Sequence, residues 1–500
     1  MFIKLYARRR KKPDKACYPK RQKYNIMTVA EDTQFEDEKI IDDLVAAGRL
    51  AQQHYEANGS QEVFDKACQA VAWVLMEPER NKQLAELAVA ETGLGNVADK
   101  IKKNHNKTLG LMRDLKDVKS FGHISDNKEK GLSSYLRPKG VIAAIVPSTN
   151  PLATPVNNII NALKTGNAII IAPSPKGVKP ARLLLGYIHD AIAKLGLPAE
   201  LVQMVPSPPS KLKTQKLMQL ADLVVVTGSQ SNVRAGYMSG TPAIGVGAGN
   251  VVTIIDETAD LNDAATKIAA SKTFDNATSC SSENSLVVVE PIYDQMIAAL
   301  ANAGGFLLNE EQSQLVQSVH WQNGKMTTTL LAQDIDKVLD ATGLDKTAPN
   351  NTRFLILPQS DIGPEYPLTG EKMARFLSIH KAANFEGAVE KAIAIQSFQG
   401  AGHSLGLHSA DDERARYLAM RARTCRVIVN QAHCFATGGF FNNGMPFSLS
   451  MGCGSWGGNS IDENLNWSHF VNRVNVVRVI PEKKPELEDI FASYWDEFGK

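Results

Sequence analysis

The sequence predicts an α/β protein built on a doubly wound parallel sheet. Between residues 140 and 227, short runs of apolar residues alternate with segments of helical periodicity. Strands that are apolar on both faces are typical of parallel sheets covered by helices on both sides. A second region of the same character starts near Thr273. Because 500 residues exceed the size of one ordinary core, we expect two or three domains.

The predicted elements follow in chain order. Thr33 and Glu36 form a capping-box pattern ahead of apolar residues at helical spacing, and such spacing continues to about residue 116. Residues 117–139 are polar and alternating, which is typical of a β-hairpin. Strands are then predicted over 140–146, 168–172, 201–205, 223–227 and 285–289, with helices between them, and over 471–480 near the end.

The first 26 residues are strongly basic, with ten Lys or Arg against one acid, whereas the remainder carries 45 basic and 52 acidic residues. This segment could be a nucleic-acid-binding arm, a targeting segment or an unstructured extension. It lacks the apolar stretch of a secretory signal. Because the rest of the chain is mildly acidic, we expect no nucleic-acid partner and a disordered extension over residues 1–30.

Cysteine spacing and hydropathy bound the compartment. The six cysteines are scattered without a C-x-x-C pair, which argues against a zinc site or a disulfide framework and favours a reducing compartment. No apolar run approaches the roughly 18–20 residues that span a membrane. We therefore expect a cytoplasmic protein without a metal or a membrane partner.

Cys280 is the residue whose surroundings best suit chemistry. It lies among small polar residues, from Thr273 to Ser285, between two apolar segments. A reactive thiolate needs donors and partial exposure, although a lone cysteine is more often an inert buried side chain. The glycines of Gly228-Ser-Gln and Gly245-Val-Gly-Ala-Gly249 do not form the usual dinucleotide fingerprint and could be plain loop glycines.

The order of several motifs is more informative than any one of them. These motifs are Pro147-Ser-Thr-Asn-Pro151, Thr227-Gly, Pro242–Asn250, Phe274–Cys280, Glu371-Lys, Gly402-His403 and Gly452–Gly457. Together, over about residues 36–480, they resemble the acylating branch of the aldehyde dehydrogenase superfamily, including CoA-dependent succinate-semialdehyde and sulfoacetaldehyde dehydrogenases.

The resemblance implies an aldehyde dehydrogenase-like fold. A Rossmann-like cofactor domain would cover residues 31–272 and an α/β catalytic domain 273–452. Residues 453–480 would return to the first domain and add an oligomerisation strand, and 481–500 would form a tail. The hairpin over 117–139 would help to build a homo-oligomer, a dimer or a tetramer.

The resemblance also implies roles for individual residues. Cys280 would attack the aldehyde, Thr149 together with a backbone N–H near Cys280 would stabilise the oxyanion, and His403 would lie near the acyl-transfer site unless it is only structural. Glu371 would hold the nicotinamide ribose. The other expected cofactor-binding residues are Ser148, Asn150, Pro151, Pro173, Ser174, Lys176, Thr227, Gly228 and Gly245.

The expected cofactors are NADP+ or NAD+, with coenzyme A as co-substrate. No acid follows the strand over 168–172, where an acid would repel a 2′-phosphate. Ser174 can donate a hydrogen bond there and Lys176 supplies a cation, which favours NADP+ unless Lys176 is merely a solvated loop lysine.

The resemblance and its departures indicate the product. Hydrolytic relatives carry a general-base Glu in a Glu-Leu-Gly-Gly-Lys motif, whereas here the segment begins at Gly245 without a carboxylate. Without that base the acyl group should pass to CoA rather than to water. The alternatives are an acid-forming aldehyde dehydrogenase and a non-catalytic oligomeric scaffold.

The residues before the thiol indicate the substrate. Thr278 and Ser279 would suit an anionic aldehyde, with sulfoacetaldehyde favoured over succinate semialdehyde. The sequence does not place the cation that would bind the anionic tail. We expect it to be a Lys or Arg near Asn430–Gly439, or His433 itself.

Overall fold

The computed structural model describes residues 25–500, with side chains from residue 34 onwards. The described chain starts with α1 (Asn25–Ala57), α2 (Gln61–Met76), α3 (Pro78–Thr92) and α4 (Val97–Leu115), followed by β1 (Gly122–Asn127) and β2 (Leu132–Pro138). Residues 1–24 of the predicted extension over 1–30 lie outside the described residues. Residues 25–30 belong to α1. Thr33 is therefore inside a helix rather than at its start, because no Pro or Gly between Asn25 and Thr33 interrupts helix propagation.

A five-stranded parallel sheet forms the centre of the first unit, in the order β5-β4-β3-β6-β7. Its elements are β3 (Val141–Val146), α5 (Ala153–Lys164), β4 (Ala168–Pro173), α6 (Val178–Ala193), β5 (Val202–Met204), α7 (Lys211–Leu220), β6 (Leu223–Val226), α8 (Gln230–Tyr237) and β7 (Ala243–Gly245). Every residue of β3, β4 and β6 is buried, as expected for strands covered on both faces. The predicted doubly wound sheet is confirmed.

A seven-stranded parallel sheet forms the second unit, in the order β10-β13-β14-β9-β8-β15-β16. Its elements begin with β8 (Val251–Ile255), α9 (Leu261–Thr273), β9 (Glu283–Val289), α10 (Tyr293–Asn302), β10 (Gly305–Leu307), α11 (Glu310–His320), β11 (Trp321–Gln322) and β12 (Lys325–Met326). They continue with α12 (Ile335–Ala341), β13 (Phe354–Pro358), β14 (Phe376–Ala382), α13 (Phe385–Phe398), β15 (Leu405–His408), α14 (Asp412–Arg421), β16 (Val427–Val429) and α15 (His433–Ala436).

The boundary between the two units differs from the predicted one at residues 272 and 273. Strand β8 pairs with β9 and β15, so β8 and α9 already belong to the second sheet. The sequence does not reveal this, because β8 is as apolar and as fully buried as the strands of the first sheet. Its partners lie far along the chain.

The chain then returns to the first unit. Phe447, Leu465 and Phe470 are buried in the same core cluster as β3 and β4. The strand β17 (Val471–Val477) pairs antiparallel with β2, which gives a three-stranded sheet of order β1-β2-β17, and α16 (Leu487–Phe498) follows. Within residues 25–500, no helix is long and apolar enough to cross a membrane.

Candidate active site

The loop that carries Cys280 has an unusual backbone. Between α9 and β9, the three consecutive residues Asp275, Asn276 and Ala277 adopt positive φ angles of 47°, 55° and 60°. Residues other than glycine adopt this left-handed region at a cost, and such strain persists only where the surrounding structure holds it. The contacts of Asp275 show what holds it.

The Asp275 carboxylate anchors the loop to α4 of the first unit. It accepts hydrogen bonds from Lys100 Nζ at 3.1 Å, Lys103 Nζ at 2.5 Å and Thr278 Oγ1 at 2.7 Å, and from the backbone N–H of Asn96 at 3.0 Å. Burial alone would raise the pKa of Asp275, but the two lysines hold it below its usual value. The loop before the thiol is therefore fixed by charges from the other unit.

Cys280 itself is half-buried and packs directly on a bare backbone. A Cβ atom at Gly249 would lie 2.6 Å from Cys280 Cβ and 2.3 Å from its carbonyl oxygen, so no side chain fits there. Burial, together with the charge of the nearby Glu371 carboxylate, raises the pKa of Cys280 to about 12. The thiol is thus protonated at neutral pH until a positive charge or a base approaches it.

Glu371 is the carboxylate whose charge acts on the thiol. Burial raises the pKa of Glu371 to about 7, while Lys272 and Lys372 oppose that rise. Its backbone N–H donates to Gln399 Oε1 at 3.1 Å, and its carboxylate accepts no hydrogen bond from the described residues. The carboxylate is therefore available to a ligand hydroxyl.

The predicted cofactor-binding segments meet at one edge of the first sheet. Residues 148–151 follow β3, residues 173–174 end or follow β4, and residues 227–228 follow β6. Because these strands are parallel, their carboxyl ends share an edge, and the strand order reverses between β3 and β6. Such a switch point is where open α/β sheets bind their ligands.

Local chemistry at this edge fits a phosphate-bearing dinucleotide. The Ser174 hydroxyl is buried and has no hydrogen-bond partner among the described residues. A Cβ at Gly177, the residue that precedes α6, would lie 3.2 Å from Ser174 Oγ and 3.4 Å from Pro151 Cβ. A bare helix start beside a free hydroxyl suits an anion, and Lys176 is exposed beside it.

Gly245 packs against α8. It ends β7, and a Cβ there would lie 2.5 Å from Val233 Cγ1 and 3.1 Å from the Tyr237 ring, both on α8. That Gly245 marks the place of a missing water-activating base stays a prediction. In the same segment, Gly249 is the residue that packs on Cys280.

His403 is buried and neutral. Its Nδ1 contacts Ser404 Oγ at 2.7 Å, and its Nε2 has no partner among the described residues. Burial lowers the pKa of His403 to about 3, with the Arg426 charge acting in the same direction. Arg426 Nη1 donates to the His403 carbonyl at 2.9 Å, and the Cys280 sulfur is among the groups that raise the pKa of Arg426 against its burial. His403 is therefore linked to the charge of Cys280 only through Arg426.

A cleft of about 470 Å³, partly open to solvent, lies beside the thiol loop. Its lining combines polar groups with aromatic walls: Lys103, Asn106, Lys107, Asn150, Phe274, Ser279, Cys434, Phe435, Phe440, Phe447 and Leu449. Asn150 was expected to bind the cofactor. Its Oδ1 accepts from Lys103 Nζ at 2.9 Å, so its amide N–H groups are free to donate.

The two hydroxyl residues before the thiol have different surroundings. Thr278 is buried and bonded to Asp275, so it supports the loop. Ser279 lines the cleft. Thr149 directly precedes Asn150, and its backbone carbonyl accepts a hydrogen bond from Lys100 Nζ at 3.2 Å.

The sequence analysis missed Lys103 and Lys107. Their four-residue spacing puts them on one face of α4, but nothing local shows that this face meets a loop about 170 residues later. His433, the other candidate for binding the anionic tail, does not line the cleft. Its Nδ1 forms hydrogen bonds with the Ser281 carbonyl at 3.0 Å and with the Thr437 hydroxyl. The end of the predicted range Asn430–Gly439 contacts a lysine of the cleft, because the carbonyls of Gly438 and Gly439 accept hydrogen bonds from Lys107 Nζ.

Comparison with known proteins agrees with this arrangement. The model of the aldehyde dehydrogenase family matches residues 13–341. The sulfoacetaldehyde dehydrogenase (acylating) of Cupriavidus necator is 50% identical over 91% of this chain and 92% of its own length. The succinate-semialdehyde dehydrogenase (acetylating) of Clostridium kluyveri is 36% identical over 91% of this chain and 100% of its own.

Solved structures give the same result. An acetylating aldehyde dehydrogenase from Geobacillus thermoglucosidasius superposes with a TM-score of 0.86 at 31% identity, covering 91% of this chain and 100% of that one. A propionaldehyde dehydrogenase from Rhodopseudomonas palustris, with bound CoA and an acylated cysteine, gives 0.79 at 25% identity over 88% and 97%. The chain belongs to the aldehyde dehydrogenase family. Within that family it is a CoA-acylating enzyme.

Proposed function

We propose that the chain oxidises a small anionic aldehyde to its acyl-CoA through Cys280, with reduction of NADP+ or NAD+. The observation that carries the proposal is the placement of Cys280. It lies on a strained loop that is tied to the first unit, next to the charge of Glu371 and beside the cleft. The acylating relatives support the product.

The proposed chemistry uses groups of this chain at each step. The Cys280 thiol releases its proton to solvent as its sulfur adds to the aldehyde carbon, and the carbonyl oxygen becomes an oxyanion that the Asn150 amide and the Thr149 backbone N–H can stabilise. Bound NAD(P)+ supplies a positive charge and a hydride acceptor. Loss of hydride from the thiohemiacetal carbon leaves a thioester on Cys280.

Acyl transfer completes the cycle. The CoA sulfur attacks the thioester carbon, the bond to Cys280 breaks, and acyl-CoA leaves. His403 is proposed to lie near this step, where its free Nε2 can hydrogen-bond the CoA thiol. Because burial lowers the pKa of His403 to about 3, the thiol proton passes to the leaving Cys280 sulfur rather than staying on the histidine. The sum is aldehyde, CoA and NAD(P)+ giving acyl-CoA, NAD(P)H and a proton.

The substrate is proposed as sulfoacetaldehyde, with succinate semialdehyde second. Both relatives reported above are named for an aldehyde that carries an acidic group. The cleft is lined by two lysines and a serine, which suits an anion better than an alkyl chain.

Replacing Cys280 by Ala tests the mechanism. We expect the variant to fold and to form neither NAD(P)H nor acyl-CoA, since Cys280 is the thiol proposed to attack the aldehyde. Cys425→Ala is the matched control, because Cys425 is also a free and half-buried thiol. Turnover by the Cys280 variant would overturn the proposed mechanism.

Product analysis separates the rivals. An acylating enzyme requires CoA for sustained turnover and accumulates a thioester, which is measured by mass spectrometry. Acid as the main product in the presence of CoA would favour the hydrolytic alternative. A folded protein that is inert with every aldehyde would favour the scaffold.

The assembly is proposed to be a homo-oligomer built through β17 and its surroundings. Val477 is 71% exposed, Val479 is fully exposed, and α16 presents Leu487 and Ile490 to solvent. Apolar surface of this kind is typical of an interface. Light scattering of the full chain and of a variant truncated after residue 470 would test this assembly. A full chain that is monomeric, like the truncated variant, would contradict the proposal.

The cysteines of the described residues are free thiols, which supports the proposal of a reducing compartment, the cytoplasm.

A further inference from the structure

Lys107 stands apart from the other lysines around the thiol loop. Lys100 and Lys103 are paired with the Asp275 carboxylate. Lys107 forms no salt bridge with any residue of the described chain. Its Nζ donates to the carbonyls of Gly438 at 2.8 Å and Gly439 at 2.9 Å. An ammonium has three donors, so one N–H of Lys107 remains for a ligand.

The surroundings of Lys107 make a counter-charge favourable. It lines the cleft and lies over the Phe447 ring, 5.4 Å from its centre. Burial lowers the pKa of Lys107 to about 8, so the side chain still carries a charge at neutral pH but has been stripped of much of its water. A half-buried cation without an ion-pair partner among the described residues carries a desolvation cost, and an anion in the cleft would offset that cost.

The rest of the cleft fits the chain between an aldehyde and an acid group. Ser279, the residue directly before Cys280, lines the cleft, and so does Asn150, whose amide N–H groups are free to donate. Phe440, Phe447 and Leu449 give apolar walls, which suit one or two methylene groups. The reacting end and the cation are therefore at different places in one cleft.

We infer that Lys107 is the specificity-determining residue of this enzyme and that its ammonium binds the sulfonate or carboxylate tail of the aldehyde. The inference rests on the proposed function, because it assumes that the aldehyde carbon is at Cys280. Lys103 orients Asn150 and the thiol loop, whereas Lys107 selects the charge of the substrate.

Lys107→Met tests this inference, because it keeps the length and the apolar stem but removes the charge. We expect kcat/KM for sulfoacetaldehyde and succinate semialdehyde to fall roughly 10- to 100-fold, the usual loss for a hydrogen bond to a charged group. The effect should appear mainly in KM. For propionaldehyde, which has no tail charge, the change should be far smaller. Lys102→Met is the matched control, because Lys102 is on the same helix and exposed.

A second measurement does not depend on the variant folding. Ethanesulfonate, an unreactive anion of similar size, should inhibit wild-type oxidation of propionaldehyde competitively, and ethanol at the same concentration should not. Lys107→Arg should retain the preference for anionic aldehydes.

Several outcomes would overturn the inference. They are an equal loss for propionaldehyde and the anionic aldehydes, a rise in the KM for CoA without a change for the aldehyde, and absence of inhibition by ethanesulfonate. If wild type prefers the anionic aldehydes but Lys107→Met keeps that preference, this inference alone fails. If wild type forms propionyl-CoA without preferring anionic aldehydes, the proposed anionic substrate fails together with this inference, whereas the acylating reaction stands. A wild-type enzyme that forms no acyl-CoA from any of the three aldehydes would overturn the proposed function, and this inference with it.

Discussion

The contact between Gly249 and Cys280 allows a quantitative test of how finely the thiol is placed. A Cβ at Gly249 would lie 2.3 Å from the Cys280 carbonyl oxygen and 2.6 Å from its Cβ, whereas ordinary contact starts at 3.4 Å. Gly249→Ala therefore forces one of the two segments to move by about 1 Å. A misplacement of about 1 Å can cost about 100-fold in rate, and overpacking of this kind costs about 1–3 kcal/mol in stability.

We expect Gly249→Ala to be folded, slightly destabilised and about 100-fold lower in kcat. The assay is NAD(P)H formation at saturating aldehyde and CoA, together with thermal unfolding. Gly186→Ala is the matched control, since Gly186 lies in α6 and a Cβ there meets nothing within 4 Å. That control should keep full activity and gain up to about 1 kcal/mol of stability. Wild-type kcat in a folded Gly249→Ala enzyme would refute the geometric argument.

Three further perturbations follow from the charges. Glu371→Gln should lower the pKa of Cys280, because it removes a carboxylate that raises it; iodoacetamide should then alkylate the cofactor-free enzyme faster at pH 8, and an unchanged rate would contradict the electrostatic account. Lys176→Ala should weaken NADP+ more than NAD+ in steady-state kinetics, and a strong NAD+ preference that the substitution leaves unaltered would refute the role of this lysine. Asp275→Asn should lower the free energy of unfolding by about 3–5 kcal/mol, because it leaves two buried lysines unpaired. Urea titration checks this, and because the pKa of Asp275 is lowered, the difference from wild type should shrink as the pH falls toward that pKa.

Local sequence patterns were sufficient for the elements of the first sheet. The runs at 140–146 and 168–172 are short, apolar and bounded by helical segments, so their pattern identifies them as parallel strands, and the structure has them at β3 and β4. Pairing partners are a different matter. β8 has the same kind of pattern but belongs to the other sheet, because strand pairing is decided by packing between distant segments.

The site shows the same division between local and distant information. Cys280 could be singled out from its polar neighbours, and Ser279 from its position beside the thiol. The contact of Gly249 with Cys280 could not, because the sequence does not show which residue of the glycine-rich segment approaches the thiol loop. Lys107 was missed because its significance comes from Gly438 and Gly439, more than 300 residues away.

The bond between Asp275 and the two lysines of α4 has a consequence for biosynthesis. The partners are separated by 172 and 175 residues, and they come from units with separate hydrophobic cores. Contacts of such long range form late, after each core has collapsed. A nascent or half-folded chain therefore has Cys280 on a loop without its anchor. Catalytic competence is acquired when the two units dock, so the enzyme becomes able to trap aldehydes only once the whole molecule is assembled.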